Sequence, residues 1–529
     1  MDRVIDLSAK PYAFPEGYSA ASVTPIIGWE QPETPVLIEP ISASRNLAVI
    51  LSYNLRRLAM SGVQPGEVFN SGVLTTKPYG TYLTYFDPEA SGRFAWKYAS
   101  DLPADKFVGY LTMVDLTGKV NPGDEIQVVH LEPFGDRIGK DSVVFLRTDY
   151  SKKHRPEEPS QKYYEDSPTL SREGAEWLVK RGVKTVGADV RTLDPRYAGK
   201  AADYDIRVIF NQAGVLVVED LANLDQVKEQ HNYAITGMPL GIRGVTGGPA
   251  RVFVLDRKNP TDFVDCTHPL EYYPEKVTDE FPFVPPKTER PLNMLGDYPN
   301  PIPGRINPRE LGMQIARDTR LTPFSVMDPE NGFVGDEMYI HYGHGTTTHI
   351  EAAFFDPWGR HMIPEEILRR YVRIPADRLV GEGVLFDLSN MIGPGMQIEL
   401  EHILEFDPGV KEGDIVFVRT DISDLYFYGK ETVGSTPGFA ASAAKWLVEK
   451  KIRALVLEAA VERSEPYSTG VRFTSNKIHY LLHRNDIPIV DWAVKFRNFR
   501  KQRFIAAICA LPVSHQGGFP AQVLAIEDW

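Results

Sequence analysis

Cysteine is almost missing from this chain, with only Cys266 and Cys509 among 529 residues. No more than one bridge could form, so a disulfide-stapled scaffold is excluded, and without a CxxC pair there is no zinc-ribbon or thioredoxin-type motif. Long apolar runs are missing too. None approaches the roughly eighteen residues of a membrane helix, and the opening MDRVIDLSAKPYAF lacks the apolar core of a signal peptide. These absences set the expectation of a cytoplasmic protein. Positive charge is in deficit, at 58 Lys+Arg against 71 Asp+Glu, a net charge of −13 and a pI near 5.5. Such a balance argues against a nucleic-acid surface and against docking on anionic membranes. Histidine is scarce, with twelve in all.

Four of those twelve fall between residues 341 and 361, in HYGHGTTTHIEAAFFDPWGRH. A polar loop and a metal site both fit that stretch read alone. The rest of the chain weighs between them. At 43 % hydrophobic and 24 % charged residues, the composition is that of a globular protein with material for sizeable cores.

The chain contains a second copy of itself. LPADKFVGYLTMVDL (102–116) recurs as IPADRLVGEGVLFDL (374–388), and KDSVVFLRTDY (140–150) as EGDIVFVRTDI (412–422), both at an offset of 272. GAEWLVKRGVKTVGAD (174–189) matches AAKWLVEKKIRALVLE (443–458), and GMPLGIRGVTGGPARVFVLD (237–256) matches ALPVSHQGGFPAQVLAIED (510–528). Four blocks in one order define two homologous domains, 1–256 and 306–529, joined by a proline-rich connector, 257–305. In each copy, valine-rich runs read as buried strands and WLVK-type segments as helices. The strand–helix–strand order makes each an α/β domain.

The motifs resemble those of the metal-dependent cyclase family, which includes bacterial kynurenine formamidases, isatin hydrolase and trans-dienelactone hydrolase. VIDLS at 4–8 is similar to the family's opening strand. TTHIEA (347–352) stands where the family has GTHxDA, and His479 and Asp491 match its downstream histidine and acid, twelve residues apart. Both halves carry the closing segment. The resemblance implies a swivelling β/β/α fold, one or two divalent metals, and hydrolysis of an amide, imide or lactone. It assigns metal ligation to His344, His349, Glu351, His479 and Asp491. Gly345 occupies the place of the family's earlier histidine, so His344 enters as a shifted ligand. Phe355 stands where the family has its acid/base histidine, and His361 is the candidate to replace it. Phe355 and Trp358 would supply an apolar wall for a ring-containing small molecule, with core packing as the competing role.

Local chemistry supports the assignment independently. Alternation puts His349 and Glu351 on one side of an extended segment. SNKIHYLLHRND reads as a short helix with Ser475 as N-cap, and IPIVD as the following strand. A mixed imidazole and carboxylate set suits zinc or manganese rather than calcium. The first copy is the control. It has Arg207 at the place of His479, Glu219 at that of Asp491, and Tyr82 and Thr84 at those of His349 and Glu351. Arginine stays protonated and cannot ligate, so an Arg207–Glu219 ion pair is expected. His130 and His402 occur in both copies and read as structural histidines of a strand, and His483 as an exposed one. The expected activity is that of a metal-dependent hydrolase on a small molecule. The alternatives are a metal-assisted ring-closing cyclase or dehydratase, and a non-catalytic ligand-binding relative. The tandem domains are expected to form an internal pseudo-dimer, with further homo-oligomers open.

Overall fold

A computed structural model describes residues 4–6, 81–84, 102–155, 163, 166–194, 205–239, 247–265, 321–328, 333–340, 348–353, 362–371, 374–423, 436–467, 470–473, 477–510 and 518–529. Two large sheets dominate, one built on each half of the chain. In chain order their strands are β1 (Val4–Asp6), β2 (Tyr82–Thr84), β3 (Val108–Asp115), β4 (Val143–Arg147), β5 (Thr185–Ala188), β6 (Leu216–Glu219), β7 (Tyr233–Gly237), β8 (Gly247–Pro249), β9 (Arg251–Asp256) and β10 (Asn259–Asp265). The second half adds β11 (His349–Glu351), β12 (Val380–Asp387), β13 (Ile415–Arg419), β14 (Ala454–Leu457), β15 (Ile489–Asp491), β16 (Arg503–Ala510) and β17 (Gly518–Ile526).

The first sheet runs β8-β2-β6-β5-β4-β3-β7-β9-β10, and the second β1-β17-β11-β15-β14-β13-β12-β16. In the second, β17 also pairs with β16, which curls the sheet back on itself. Strand for strand, the central orders agree. The central strands are parallel, and the connections between them include helices α1 (Arg172–Lys180) and α2 (Asp205–Gln212) in the first half, α3 (Ala441–Glu449) and α4 (Lys477–His483) in the second. This is the mixed α/β fold in two copies that the repeats predict.

Burial explains why the central strands are continuously apolar. Val144 and Leu146 face the helices of the first half, as Val416 and Val418 face those of the second. Their neighbours Val143 and Phe145, and Ile415 and Phe417, turn the other way into one apolar core common to both halves. A strand covered on both faces has no polar side to show. Across that core the halves touch directly. Gly237 on β7 lies so close to Cys509 on β16 that a Cβ there would overlap it, and Met238 N donates to Gln522 Oε1 at 2.7 Å.

The outermost strands come from unexpected places. β1, carrying the VIDLS motif of the first repeat, pairs antiparallel with β17 of the second half, Ile5 opposite Ala525. β10, in FVDCT just after the first half, pairs with β9 in the same register, Val264 opposite Val254. Residue 264 is therefore the counterpart of residue 5, and each repeat's opening strand completes the sheet of the other repeat.

The two duplicated histidines are structural, although not in a strand. His130 lies in a short helix, Val128–Leu131, and His402 in another, Leu400–Glu405. Each ring accepts through Nδ1 from the backbone N–H of the capping residue, Gln127 N at 3.0 Å and Glu399 N at 3.0 Å. The reciprocal bonds complete a capping box at both helix starts. An apolar run this short does not distinguish strand from helix, and the capping pattern decided it.

Candidate metal centre

The site lies at the carboxyl ends of the parallel strands β14 and β15, where β11 begins antiparallel beside them. That end of an open α/β sheet is where ligands generally bind. His349 stands opposite Asp491 in the β11–β15 register, and Glu351 follows two residues along. Opposed and alternate residues project from one face of a sheet, so the pairing gathers all three. Their donor atoms lie within 4.8 Å of one another. The start of β11 is pinned by Thr348, whose hydroxyl donates to Trp492 O at 2.7 Å. Trp492 adopts a left-handed φ of +59°, and its first-half counterpart Asp220 one of +57°, so this turn belongs to the frame common to both halves.

Helix α4 brings the fourth group. His479 Nε2 lies 2.6 Å from Glu351 Oε2, and His349 Nε2 lies 2.9 Å from Glu351 Oε1. Glu351 thus has one oxygen toward each imidazole. All four side chains are almost wholly removed from solvent. Beneath them sits Glu462, also buried, whose Oε1 accepts from Ile478 N at 2.9 Å and His479 N at 3.0 Å. Its Oε2 is in direct contact with His479 Nδ1.

Concentrated buried charge shifts the proton affinities of Asp491, His479 and His483. Burial, reinforced by the charge of Glu351, pushes the Asp491 carboxyl well above the usual carboxylate range. Burial alone would depress His479, yet the carboxylates of Glu462 and Glu351 outweigh it and raise its pKa well above the ordinary imidazole value. His483, one turn on along α4, goes the opposite way. Burial, with repulsion from His479, lowers it to about 3, so it is a neutral ring at physiological pH. Its centroid lies 5.7 Å from that of His479. The expectation that His483 is exposed is therefore wrong. It is 2 % exposed, because it falls on the face of α4 that covers the sheet.

These residues fit a divalent cation on an observation of their own. Asp491 Oδ1 is buried and has no hydrogen-bond partner, an arrangement costing a few kcal/mol unless something positive meets it. A cation beside two imidazoles and two carboxylates would meet that oxygen and offset the clustered negative charge. Among the described residues, this is where three metal-capable side chains converge.

The first half repeats the frame with other residues in it. Tyr82 stands opposite Glu219 in the β2–β6 register, as His349 does opposite Asp491. Thr81 donates to Asp220 O at 2.7 Å, as Thr348 does to Trp492 O. Where the second half has Trp492, the first has Asp220, fully buried and held by Arg155 at 2.5 Å and the Tyr163 hydroxyl at 2.8 Å. Glu219 accepts from Leu193 N at 2.7 Å. The side chains of Arg207, Tyr82 and Thr84 lie outside those described, and so does the expected Arg207–Glu219 ion pair.

Of the residues singled out by sequence, the structure brings together His349, Glu351, His479 and Asp491. His344, Phe355, Trp358 and His361 lie outside the described residues, as does Ser475. At the N-terminus of α4, Glu462, which sequence reasoning passed over, accepts from Ile478 N and His479 N. Its counterpart by role is Asp194, whose Oδ1 accepts from Ile206 N at the start of α2 at 3.1 Å. Asp194 follows Asp189 by five residues and Glu462 follows Glu458 by four. That slip of one hid the equivalence.

Comparison with known proteins gives one family. The model of the family described as "Putative cyclase" matches residues 52–195 and again 264–461, more than half of the chain in two passes. The second match begins at the β10 segment. No curated protein matches. Among solved structures, one titled a "Potential Metal-Dependent Hydrolase With Cyclase Activity" is 23 % identical, covering 40 % of this chain and 89 % of that one at a TM-score of 0.30. A "predicted metal-dependent hydrolase" from Bacillus stearothermophilus is 22 % identical over 40 % of this chain and 88 % of its own, TM-score 0.30. Isatin hydrolase A from Labrenzia aggregata is 18 % identical over 40 % and 84 %, TM-score 0.32. Among the described residues, no helix is long and apolar enough to cross a membrane.

Proposed function

This chain belongs to the cyclase family, and on that premise we propose that its second half is a metal-dependent hydrolase of an amide, cyclic imide or lactone in a small ring-containing molecule. The observation that carries the proposal is the convergence of His349, Glu351 and Asp491 within 4.8 Å, with a buried Asp491 oxygen that lacks a partner. His479 joins them through Glu351. His349, Glu351, His479 and Asp491 would hold the metal, zinc or manganese by the chemistry of the donors. When bound, such an ion supplies Lewis acidity toward a carbonyl and a lowered pKa for water.

The chain's own residues account for the rest. The register of β11 against β15 orients two donors before any ligand arrives, so little ordering remains at binding. Apolar Ile422, Ala459 and Trp492 pack together where β13, β14 and β15 end, suited to excluding water from one side of a ring. His483 is a buried neutral ring at physiological pH. For proton transfer we take His361, the candidate offered by the sequence. We read the first half as a framework that covers the second half's sheet and supplies its outermost strand, a pseudo-dimer within one chain.

Elemental analysis decides the matter first. One or two equivalents of zinc or manganese per chain are expected in the wild type and a loss of metal in His349→Ala and His479→Ala. Turnover of a cyclic imide, an aryl formamide or a lactone should vanish with the metal. A wild-type chain that takes up no metal after reconstitution would remove the hydrolase reading.

A further inference from the structure

We propose that Glu462 is a positioning residue which fixes the ring of His479 for the metal centre. One carboxylate oxygen caps α4 while the other lies against Nδ1. The inference rests on the metal reading above and deepens it.

Three observations carry it. Glu462 is 2 % exposed, so its contacts are made without competition from water. Its Oε1 accepts from two backbone N–H groups at the start of α4, Ile478 at 2.9 Å and His479 at 3.0 Å. Its Oε2 meets His479 Nδ1, while Nε2 of the same ring points at Glu351, 2.6 Å away. An ionised carboxylate only accepts, and a neutral imidazole carries one proton. Facing Glu462, that proton belongs on Nδ1, which leaves the Nε2 lone pair directed into the cluster. Carboxylate partners of this kind set both tautomer and ring orientation at metal sites.

The first half separates the two duties. Asp194 caps α2 through one oxygen, accepting from Ile206 N, and the next residue there is Arg207, which has no tautomer to set. Capping therefore needs an acid but not this one. Glu462 is one methylene longer and one place earlier, and its second oxygen arrives at an imidazole.

The test is zinc titration of the full-length chain, stripped with chelator, against a competing chromophoric chelator. Glu462→Gln keeps a carbonyl oxygen for the helix cap but turns an amide N–H₂ toward Nδ1. The ring must then accept there and carry its proton on Nε2. Expected is a metal-free variant with a near-wild-type thermal midpoint and a zinc affinity about 10–100-fold weaker. A folded Glu462→Gln chain that binds zinc like the wild type would overturn the proposal and leave Glu462 a cap alone.

Should that variant fail to fold, ¹⁵N-histidine NMR on the wild type decides, with the His479 signal identified by its loss in His479→Gln. A proton on Nδ1 in the zinc-loaded chain supports the assignment, and an unprotonated Nδ1 overturns it. If the wild type binds no zinc, the metal reading falls separately. The metal-free ring, read at alkaline pH, then still distinguishes Nδ1–H from Nε2–H.

Discussion

Asp491 is the residue on which the charge balance of the site turns. Its Oδ1 is buried without a hydrogen bond, and its carboxyl is pushed well up by burial and by Glu351. Asp491→Asn keeps the shape and removes the charge. The metal-free variant is expected to melt at or above the wild-type temperature, because the cost of burying a carboxylate disappears. Its zinc affinity should fall by more than the roughly 10–100-fold that loss of an outer partner causes. Parallel thermal melts and zinc titrations check both halves of that statement, and a drop in metal-free stability would contradict it. At this scale the sequence was legible wherever residues meet through strand register. The twelve-residue spacing of His479 and Asp491 and the alternation of His349 and Glu351 both correspond to side chains gathered in space. Glu462 and His483 were not legible. Their roles depend on which way a short helix rolls over the sheet, and seven residues, Lys477–His483, are too few for periodicity to fix that.

The paired acids that end the central strands belong to the element scale. Asp189 follows β5 and accepts from Thr148 N, Thr148 Oγ1 and Asp149 N, each at 2.7 Å. Glu458 follows β14 and accepts from Thr420 N and Asp421 N, each at 2.6 Å, and from Ser423 Oγ at 2.7 Å. Each acid locks the turn of the neighbouring strand, where Asp149 and Asp421 take φ +60° and +57°. Burial outweighs those bonds, raising Asp189 to about 6 and Glu458 to about 7. With its folded pKa above the unfolded one, Glu458 holds a proton in the native chain that the unfolded chain has lost. Its contribution to stability therefore falls as pH rises from 4.5 to about 7, by roughly 3 kcal/mol across the window. Denaturant melts of the metal-free chain between pH 5 and 8 should show that slope, and Glu458→Gln, whose carbonyl can take the same N–H groups, should flatten it. An unchanged slope in the variant would assign the pH dependence elsewhere. The capping boxes at His130 and His402 teach the matching lesson for reading elements. VVHLE and LEHIL look like strands by composition, and only a hydrogen bond back to Gln127 or Glu399 makes each a helix start.

At the scale of the whole molecule, the repeat was readable and the way its copies interlock was not. Repeats report which residues correspond and are silent on which sheet a strand joins. Packing between the halves makes its own prediction. Gly237 is required by the close approach of Cys509, so Gly237→Ala should cost about 1–3 kcal/mol through overpacking. Cys509→Gly should relieve most of that penalty, visible as a coupling term in a double-mutant cycle of unfolding free energies. Additive effects would mean that the two strands do not meet.

The exchange of opening strands also sets an order in time. Residues 259–265 are synthesised directly after the β9 strand they complete, so the first half can close its sheet while the other half is still unmade. Residues 4–6 must wait for residues 524–526, and at about 5–20 residues per second that separation is on the order of 25–100 s of translation. If the first half folds as it emerges, it offers its apolar face to the second half while that half is being made. The first half would thereby be the surface on which the second half is assembled.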